Sequence, residues 1–401
     1  MVRFLHTADW QFGMKARHVA QVGEAVRSAR LDTLSRVGHL ATQQGAQFIL
    51  MAGDVFEDNQ VDDALVHRVL HCLADMPCPV FVLPGNHDHA GPGSVYLRRA
   101  FAWRPANVHL LLELKPVHIG EAVLLPAPAF QKWSAEDPTL KLTEMDGGSG
   151  IRIGVAHGSL RIDGRYQPND FPIALDAATR AGLDYLALGH WHSFYAHDPR
   201  TVYAGTPETT KFDERDSGTA ALVQIEAAGA PPCLGRLEVG GLRWLQWEAD
   251  LSVDPQAVLA RWREDLEALP EGKRVLLRLL PGGRITLEAR AMLDDFAAWA
   301  APRVLFLDLK EEQLQPSLDR GELLDRVRTH PLLGGMLADL GVLELLADPT
   351  AVVSQTSGFD PPFAPLDSGY LRARLDEAGN DRAVIQQAMA ILGELLSEIY
   401  Q

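Results

Sequence analysis

The chain has 401 residues, 47% of them hydrophobic, and a formal net charge of −16. That is enough apolar material for a large core plus one or two smaller units, and no apolar run approaches the ~20 residues of a membrane-spanning helix. The acidic balance argues against a protein that holds nucleic acid by its own charge alone, since such affinity comes largely from neutralising phosphates. It leaves room for action on DNA in which bound divalent ions or a basic partner supply the positive charge.

The N-terminus passes directly into the apolar, strand-like segment Val2–Thr7, and no secretory signal fits there. Next come an amphipathic helix over Val26–Ala41, a strand over Phe48–Met51, a helix over Asp62–Ala74 with Asp62 as N-cap, and a strand over Val80–Leu83. Cys72 and Cys78, in this helix-to-strand stretch, and the distant Cys233 lack metal-ligand spacing and read as reduced, buried thiols. The expected location is the cytoplasm. Two further buried strands are expected at Arg152–Ala156 and Tyr185–Leu188. The strand–helix–strand rhythm predicts an α/β layered domain. From Thr201 the pattern turns to consecutive strands, Thr201–Ala204, Ala220–Glu226 and Arg236–Trp247, which are expected to complete the domain as a second sheet.

Asp250–Pro255 marks a boundary. The expected division is 1–250, 251–318 and 319–401. The middle part reads as a small βαβ unit: a helix around Val258–Leu269, then a strand over Arg274–Leu279, a helix over Thr286–Ala301 and a strand over Val304–Leu309. The last part reads as helical, and Asp381–Tyr400 carries an apolar stripe of the kind that docks on its own domain or on a partner.

Candidate chemistry collects at the carboxyl ends of the proposed strands. Asp9 follows Val2–Thr7; Gly53-Asp54 follows Phe48–Met51; Gly85-Asn86-His87-Asp88 follows Val80–Leu83. His157 follows Arg152–Ala156, and Gly189-His190-Trp191-His192 follows Tyr185–Leu188. Open α/β sheets bind ligands at this rim, and the glycines suit sharp turns that aim the next side chain inward. Alone, Asp54 is an ordinary turn residue and His157 an ordinary histidine, but Asn-His-Asp and His-Trp-His after buried strands have no packing purpose. Asp, Asn and His together are ligands for two divalent ions of the Mn, Fe or Zn type. Asp54 has the two oxygens a bridge needs. His87 stands beside the ligands, placed to protonate a leaving oxygen as general acid.

The stretches FLHTADWQFG, GDVFEDN, LPGNHD, GVAHGSL, LGHWH and YAGTPETTKFDE, in this order, resemble the calcineurin-like metallophosphoesterases and, within them, the SbcD branch of DNA repair nucleases. The motifs span about Leu5 to Glu214. The resemblance implies a four-layer α/β/β/α sandwich of two sheets flanked by helices, a small capping unit and a helical C-terminal region that docks on an SbcC-type coiled-coil ATPase. It implies a first metal on Asp9, Asp54 and His192 and a second on Asp54, Asn86, His157 and His190, with His87 as catalytic acid. It further implies DNA as substrate, Mn2+ as the supporting ion (with Mg2+, Fe2+ or Zn2+ as substitutes), and a homodimer.

One position departs. The family reads D-x-H at its first motif, where this chain has Asp9-Trp10-Gln11. Gln11 offers an amide oxygen, a weaker ligand than imidazole for such ions. Three outcomes are open: a binuclear site with a weak first position, a site working with one tight metal, or a silenced domain kept as a scaffold. Arg161, Arg165, Lys211 and Arg215 are candidate DNA phosphate contacts, each weighed against solvated surface charge. The competing functions are a small-molecule phosphodiesterase or phosphatase on the same scaffold, and a non-catalytic regulatory subunit of an ATPase. No Walker-type motif occurs, so ATP chemistry would belong to a partner.

Overall fold

The computed structural model describes residues 1–316, 331–347, 368–377, and the single positions 388 and 391. In chain order the first part comprises β1 (Val2–Thr7), α1 (Gly23–Gln44), β2 (Phe48–Ala52), α2 (Asp63–Ala74), β3 (Val80–Leu83), α3 (Arg99–Ala102) and β4 (Val108–Leu110). There follow β5 (Val117–Ile119), β6 (Ala122–Ala127), β7 (Ile151–His157), β8 (Ser159–Leu160), β9 (Pro172–Ile173), α4 (Ala177–Arg180) and β10 (Tyr185–Gly189). The run closes with β11 (Tyr195–Asp198), β12 (Thr201–Tyr203), β13 (Thr219–Ile225), β14 (Cys233–Glu238) and β15 (Arg243–Asp250).

Two six-stranded sheets organise these elements, in the orders β14-β13-β1-β2-β3-β4 and β11-β12-β10-β7-β6-β5. Residue alternation sets the layers. Along β1 and β2, Val2, Phe4, Ala8, Phe48, Leu50 and Ala52 join Ile153, Val155, Tyr185 and Ala187 of the other sheet in one buried cluster. The opposite faces of the same strands, Leu5, Ile49 and Met51, meet Leu34, Val37, Val66 and Val69 of α1 and α2. Asp62 caps α2 by accepting the Leu65 N–H at 2.7 Å. On the second sheet, Leu186 and Leu188 pack on Ala177 and Ala178 of α4 and on Leu142. Leu142 lies in a 3-10 stretch, Pro138–Glu144. The sandwich is therefore the expected one, with an outer layer on this side made of short helical pieces. Fully burying each such aliphatic side chain contributes about 1.5–3 kcal/mol.

Four expectations about this part need correction. The five ligand-bearing strands do not share one sheet: β1, β2 and β3 lie in the first, β7 and β10 in the second. The strands beyond Thr201 form no sheet of their own, because β12 pairs with β10 and β13 pairs antiparallel with β1. Arg236–Trp247 is two strands, β14 and β15, broken at Gly240-Gly241. The thiols are also less buried than expected: Cys72 and Cys78 are half-buried and Cys233 is exposed.

The remaining elements are α5 (Pro255–Glu267), β16 (Val275–Ile285), α6 (Leu287–Ala300), β17 (Phe306–Leu309), β18 (Gln313–Pro316), α7 (Pro331–Ala347) and α8 (Ser368–Glu377). The chain falls into two compact units, one of Met1–Leu245 with Glu271–Leu277 and Val304–Phe306, the other of Gln246–Pro270, Arg278–Arg303 and Leu307–Gln401. In the second, Asp254 and Thr286 cap α5 and α6 by accepting the N–H groups of Ala257 and Ala289. The two helices pack through Trp262 and Phe296, whose ring centroids are 5.8 Å apart. β16 runs on to Ile285, beyond the expected end at Leu279, because Gly282–Ile285 pair in parallel with β18. The apolar stripe at Asp381–Tyr400 lies, apart from two single positions, outside the described residues. No described helix is long and apolar enough to cross a membrane.

Candidate metal centre

The carboxyl ends of β1, β2, β3, β7 and β10 converge where the two sheets meet. Here Asp9, Gln11, Asp54 and His190 all have positive φ, at 56°, 45°, 51° and 110°. Such backbone costs about 1–3 kcal/mol per non-glycine residue and persists only where its surroundings enforce it. The enforcement is visible. The Asp9 N–H donates to the Gly53 carbonyl at 3.0 Å, the Gln11 N–H to Asp54 at 2.9 Å, and the Phe12 N–H to Val55 at 2.8 Å. The loops after β1 and β2 are thus laced together, and both carboxylates turn inward.

The glycines serve this geometry differently from the sharp turns expected. Only Gly53 has a positive φ, at 94°. Gly85 and Gly189 are required for close approach: a Cβ there would lie 2.1 Å from Asp54 Oδ1 and from the Ala52 carbonyl, respectively.

Asp9, Asp54 and His157 form a buried cluster whose ligand atoms all lie within 4.8 Å of one another. His157 Nδ1 donates to the Ala52 carbonyl at 2.9 Å. That bond leaves Nε2 facing Asp54 Oδ2 at 3.3 Å, Asn86 Oδ1 at 3.0 Å and Asp9 Oδ1 at 4.0 Å. Asp54 uses its other oxygen, Oδ1, to accept the His87 N–H at 2.9 Å. Its two oxygens therefore point in two directions, as a bridging ligand requires.

Burial alone would lower the His157 imidazole, but Asp54 and then Asp9 outweigh it and raise the pKa to about 10. Burial pushes Asp54 up, yet the His157 charge prevails and holds it well below the usual carboxylate range. Asp9 is raised, because burial exceeds the help from His157 and His192. Two buried carboxylates with no lysine or arginine paired to them among the described residues, facing an imidazole and an amide oxygen, are a donor set suited to a divalent cation.

The histidines after β10 are held by carboxylates. The His190 N–H donates to both Asp9 oxygens, at 3.1 and 3.0 Å, and His190 Nε2 meets Asp170 Oδ2 at 2.7 Å. His192 Nδ1 bonds Glu214 Oε1, which Thr210 Oγ1 also contacts. Burial would lower His192, but the Glu214 bond and the Asp9 charge raise it; Glu214, which burial would raise, is lowered by His192. A carboxylate behind each imidazole fixes its tautomer and raises its basicity toward a metal. Asp170 and Glu214 had not been expected to matter. Glu214 lies within the YAGTPETTKFDE stretch, whereas Asp170 sits in an irregular loop with no local signal.

Gln11 reaches the cluster. Its amide Nε2 lies 3.1 Å from His192 Nε2, so a half-turn of the amide presents Oε1 at the same place. His87 is half-buried, and its Nδ1 donates to the Glu57 carbonyl at 2.8 Å, leaving Nε2 as the nitrogen that can carry a transferable proton. Asp88, the last residue of GNHD, is structural: fully buried, it accepts the Phe56 and Gly85 N–H groups at 3.0 and 2.7 Å and bonds the Tyr96 hydroxyl. Burial, with Asp54 nearby, raises it to about 6.

A cavity of about 590 Å³ opens beside this centre, lined by His190, His192, Phe194, Arg165 and Lys211 among others. Of the four candidate phosphate contacts, Arg165 and Lys211 therefore reach the site, and Lys211 is paired with Asp213 at 3.1 Å. Arg161 and Arg215 are exposed and do not line the cavity.

Residues 2–194 match the profile of the calcineurin-like phosphoesterases. Within that match lies the buried Asp9, Asp54 and His157 group, which could hold a metal ion. The uncharacterized metallophosphoesterase YhaO of Bacillus subtilis (strain 168) is 24% identical over 239 residues, which cover 55% of this chain and 57% of that protein. The match thus spans little more than half of that relative's length. Among solved structures, TT1561 of Thermus thermophilus is similar over 59% of this chain and 99% of its own, with a TM-score of 0.39 and 12% identity. The calcineurin-like phosphoesterase YfkN of Bacillus subtilis is similar over 59% and 90%, with a TM-score of 0.36 and 12% identity.

Proposed function

We propose that the chain is a DNA nuclease that hydrolyses phosphodiester bonds with two divalent cations, Mn2+ foremost. The observation that carries this reading is the Asp9–Asp54–His157 cluster with Asn86, beside a cavity whose wall combines His190 and His192 with the cations Arg165 and Lys211. Asp54 would serve both ions, joined by Asp9, His192 and Gln11 at one and by Asn86, His157 and His190 at the other. Bound divalent cations supply a nucleophilic water at neutral pH and neutralise the non-bridging phosphate oxygens. His87, steadied through Nδ1 by the Glu57 carbonyl, holds at Nε2 the proton that the leaving oxygen takes. Arg165 and Lys211 orient the phosphate chain. In this reading the protein acts in the cytoplasm in DNA repair, recombination or defence, as a homodimer, with the C-terminal region docked on an SbcC-type ATPase.

The test is Mn2+-dependent degradation of linear double-stranded DNA by the purified chain, with Asp54→Ala alongside. Degradation that disappears in the variant supports the reading. A chain that binds Mn2+ and hydrolyses bis-aryl phosphates or nucleotides but leaves DNA intact is instead a small-molecule phosphodiesterase, a reading favoured by the net charge of −16. A chain that takes up no ion is a regulatory subunit, the outcome that Gln11 favours.

A further inference from the structure

Two large aromatic side chains stand in solvent beside the metal centre. Phe130 is 47% exposed and Trp133 54%, and with Gln131 and Lys132 they form the tip of the turn after β6. Neither makes a ring contact among the described residues. Two exposed rings on one short turn offer more apolar surface than a lone side chain, so their position matters.

That position is fixed from both sides. The Ala90 N–H donates to the Ala129 carbonyl at 2.8 Å, and the Ala129 N–H to Pro84 at 3.2 Å, tying the start of the turn to the loop that carries Asn86 and His87. Gly91 lies so close beneath that a Cβ there would come within 2.2 Å of the Phe130 carbonyl. At the far end, the Ser134 N–H donates to Asn169 at 3.0 Å, and the Phe171 N–H donates to Ser134 at 2.9 Å. These bonds bracket Asp170, the carboxylate that holds His190. The rings are therefore strapped between the loop of the proposed general acid and the loop that orients a proposed metal ligand. Lys132 lies close enough to His89 to act with burial in lowering that imidazole.

We propose that Phe130 and Trp133 are a stacking platform for an unpaired nucleobase next to the scissile phosphate, with Lys132 against the backbone. The inference rests on the nuclease reading and narrows it, naming a frayed end or single strand as the substrate. The chemistry fits: every base offers a π-face, a ring exposed on a fixed loop receives it without sequence preference, and a neighbouring ammonium takes the phosphate. The rings would locate the nucleotide beside the phosphate that faces Asp9, Asp54 and His157.

The test is binding by the full chain, in EDTA so that nothing is cleaved, of a tetradeoxynucleotide containing 2-aminopurine. Quenching of 2-aminopurine fluorescence is expected, and the dissociation constant should rise about 10- to 100-fold in Phe130→Ala/Trp133→Ala. A tetranucleotide abasic at the same position should bind the unmodified chain as weakly. The ring-keeping variant Phe130→Tyr/Trp133→Phe should bind like the unmodified chain, which separates stacking from loss of fold. Equal affinity in the alanine variant, equal affinity for the abasic ligand, or weakening in the ring-keeping variant would overturn the platform. No binding by the unmodified chain would also overturn it and would leave the rings as a protein-docking surface. DNA degradation is scored separately: cleavage with the platform disproved leaves the nuclease standing, and base stacking without cleavage sinks the nuclease alone.

Discussion

His157 and His192 belong to the same carboxylate cluster but are fixed by different means. His157 ends a strand buried between neighbours, and its Nδ1 rests on the main-chain carbonyl of Ala52 at the end of β2. His192 lies three residues beyond the end of β10, with no strand to hold it, and depends on the Glu214 carboxylate from a loop 22 residues later. His190 likewise depends on Asp170. A ligand at a strand end is placed by the sheet, which a point mutation scarcely disturbs. A ligand on a loop is placed by a side chain that one mutation removes. The sheet-held side also joins the two sheets, so losing it should be felt in stability as well as in metal binding.

The largest expected effect follows from that. His157→Ala leaves Asp54 and Asp9 buried without their imidazole, and breaking a buried pair in this way costs about 3–5 kcal/mol. Urea unfolding in EDTA measures it, and metal uptake and hydrolysis should fall to background. The pH dependence has a definite sign. The His157 pKa is raised to about 10 in the folded, metal-free protein, so the stability it provides is complete below about 6.5, its unfolded value, and is lost as pH rises through 10. The gap between variant and unmodified protein should therefore close toward pH 10. A gap that widens there, or a variant as stable as the parent at pH 6, would break the comparison.

Asp170→Asn and Glu214→Gln test the loop-held side. Each keeps the shape of the side chain and removes the charge behind one imidazole, for which about a 10- to 100-fold loss of metal affinity is expected. Melting temperature in EDTA should move far less than in His157→Ala. Isothermal titration with Mn2+ gives the affinity. If both variants bind Mn2+ as the parent does, His190 and His192 are not positioned through these carboxylates.

Much of this centre was legible in the sequence, and the reason is local. A strand that ends in Gly-Asp or Gly-Asn-His-Asp advertises a backbone bent toward a shared point. Strand ends point to Asp9, Asp54, Asn86, His157, His190 and His192, of which Asp9, Asp54 and His157 form the buried cluster that could hold a metal. The distribution of those strands over two sheets was not legible from local pattern, because β13 pairs with β1 across more than 200 residues and no local period encodes that pairing. Asp170 was invisible for a related reason: it sits in an irregular loop and acquires its role only when β7, β10 and the turn after β6 come together. The break at Gly240-Gly241 was hidden by apolar residues that continue on both sides of it.

Gln11 allows a gain where the other changes bring losses. Its φ of 45° is left-handed, a region that histidine tolerates better than most residues. Gln11→His should therefore fold normally and add an imidazole where the amide now meets His192. The expected result is tighter first-site binding by about tenfold, near the lower end of what one well-placed group changes at such sites. Competition between Mn2+ and a fluorescent chelator reads it. Unchanged affinity would mean that position 11 does not touch the ion.

The last effect lies away from the ligands, in the core between the sheets. His6 occupies the inward face of β1, and its Nδ1 meets the Tyr185 hydroxyl of β10 at 2.9 Å. Burial lowers its pKa to about 3, so the folded protein keeps it neutral while the unfolded chain protonates near 6.5. A group depressed in this way contributes nothing adverse above 6.5 and subtracts stability as pH falls toward 3. The slope it adds is at most about 1.4 kcal/mol per pH unit. His6→Gln removes that slope while retaining similar volume. At pH 7, 6, 5 and 4 the unfolding free energy of the unmodified protein minus that of the variant should therefore fall steadily as the pH is lowered, whatever constant penalty the variant carries. Parallel curves would show that acid reaches His6 in the folded state, and that the seam between the sheets is wetter than its packing implies.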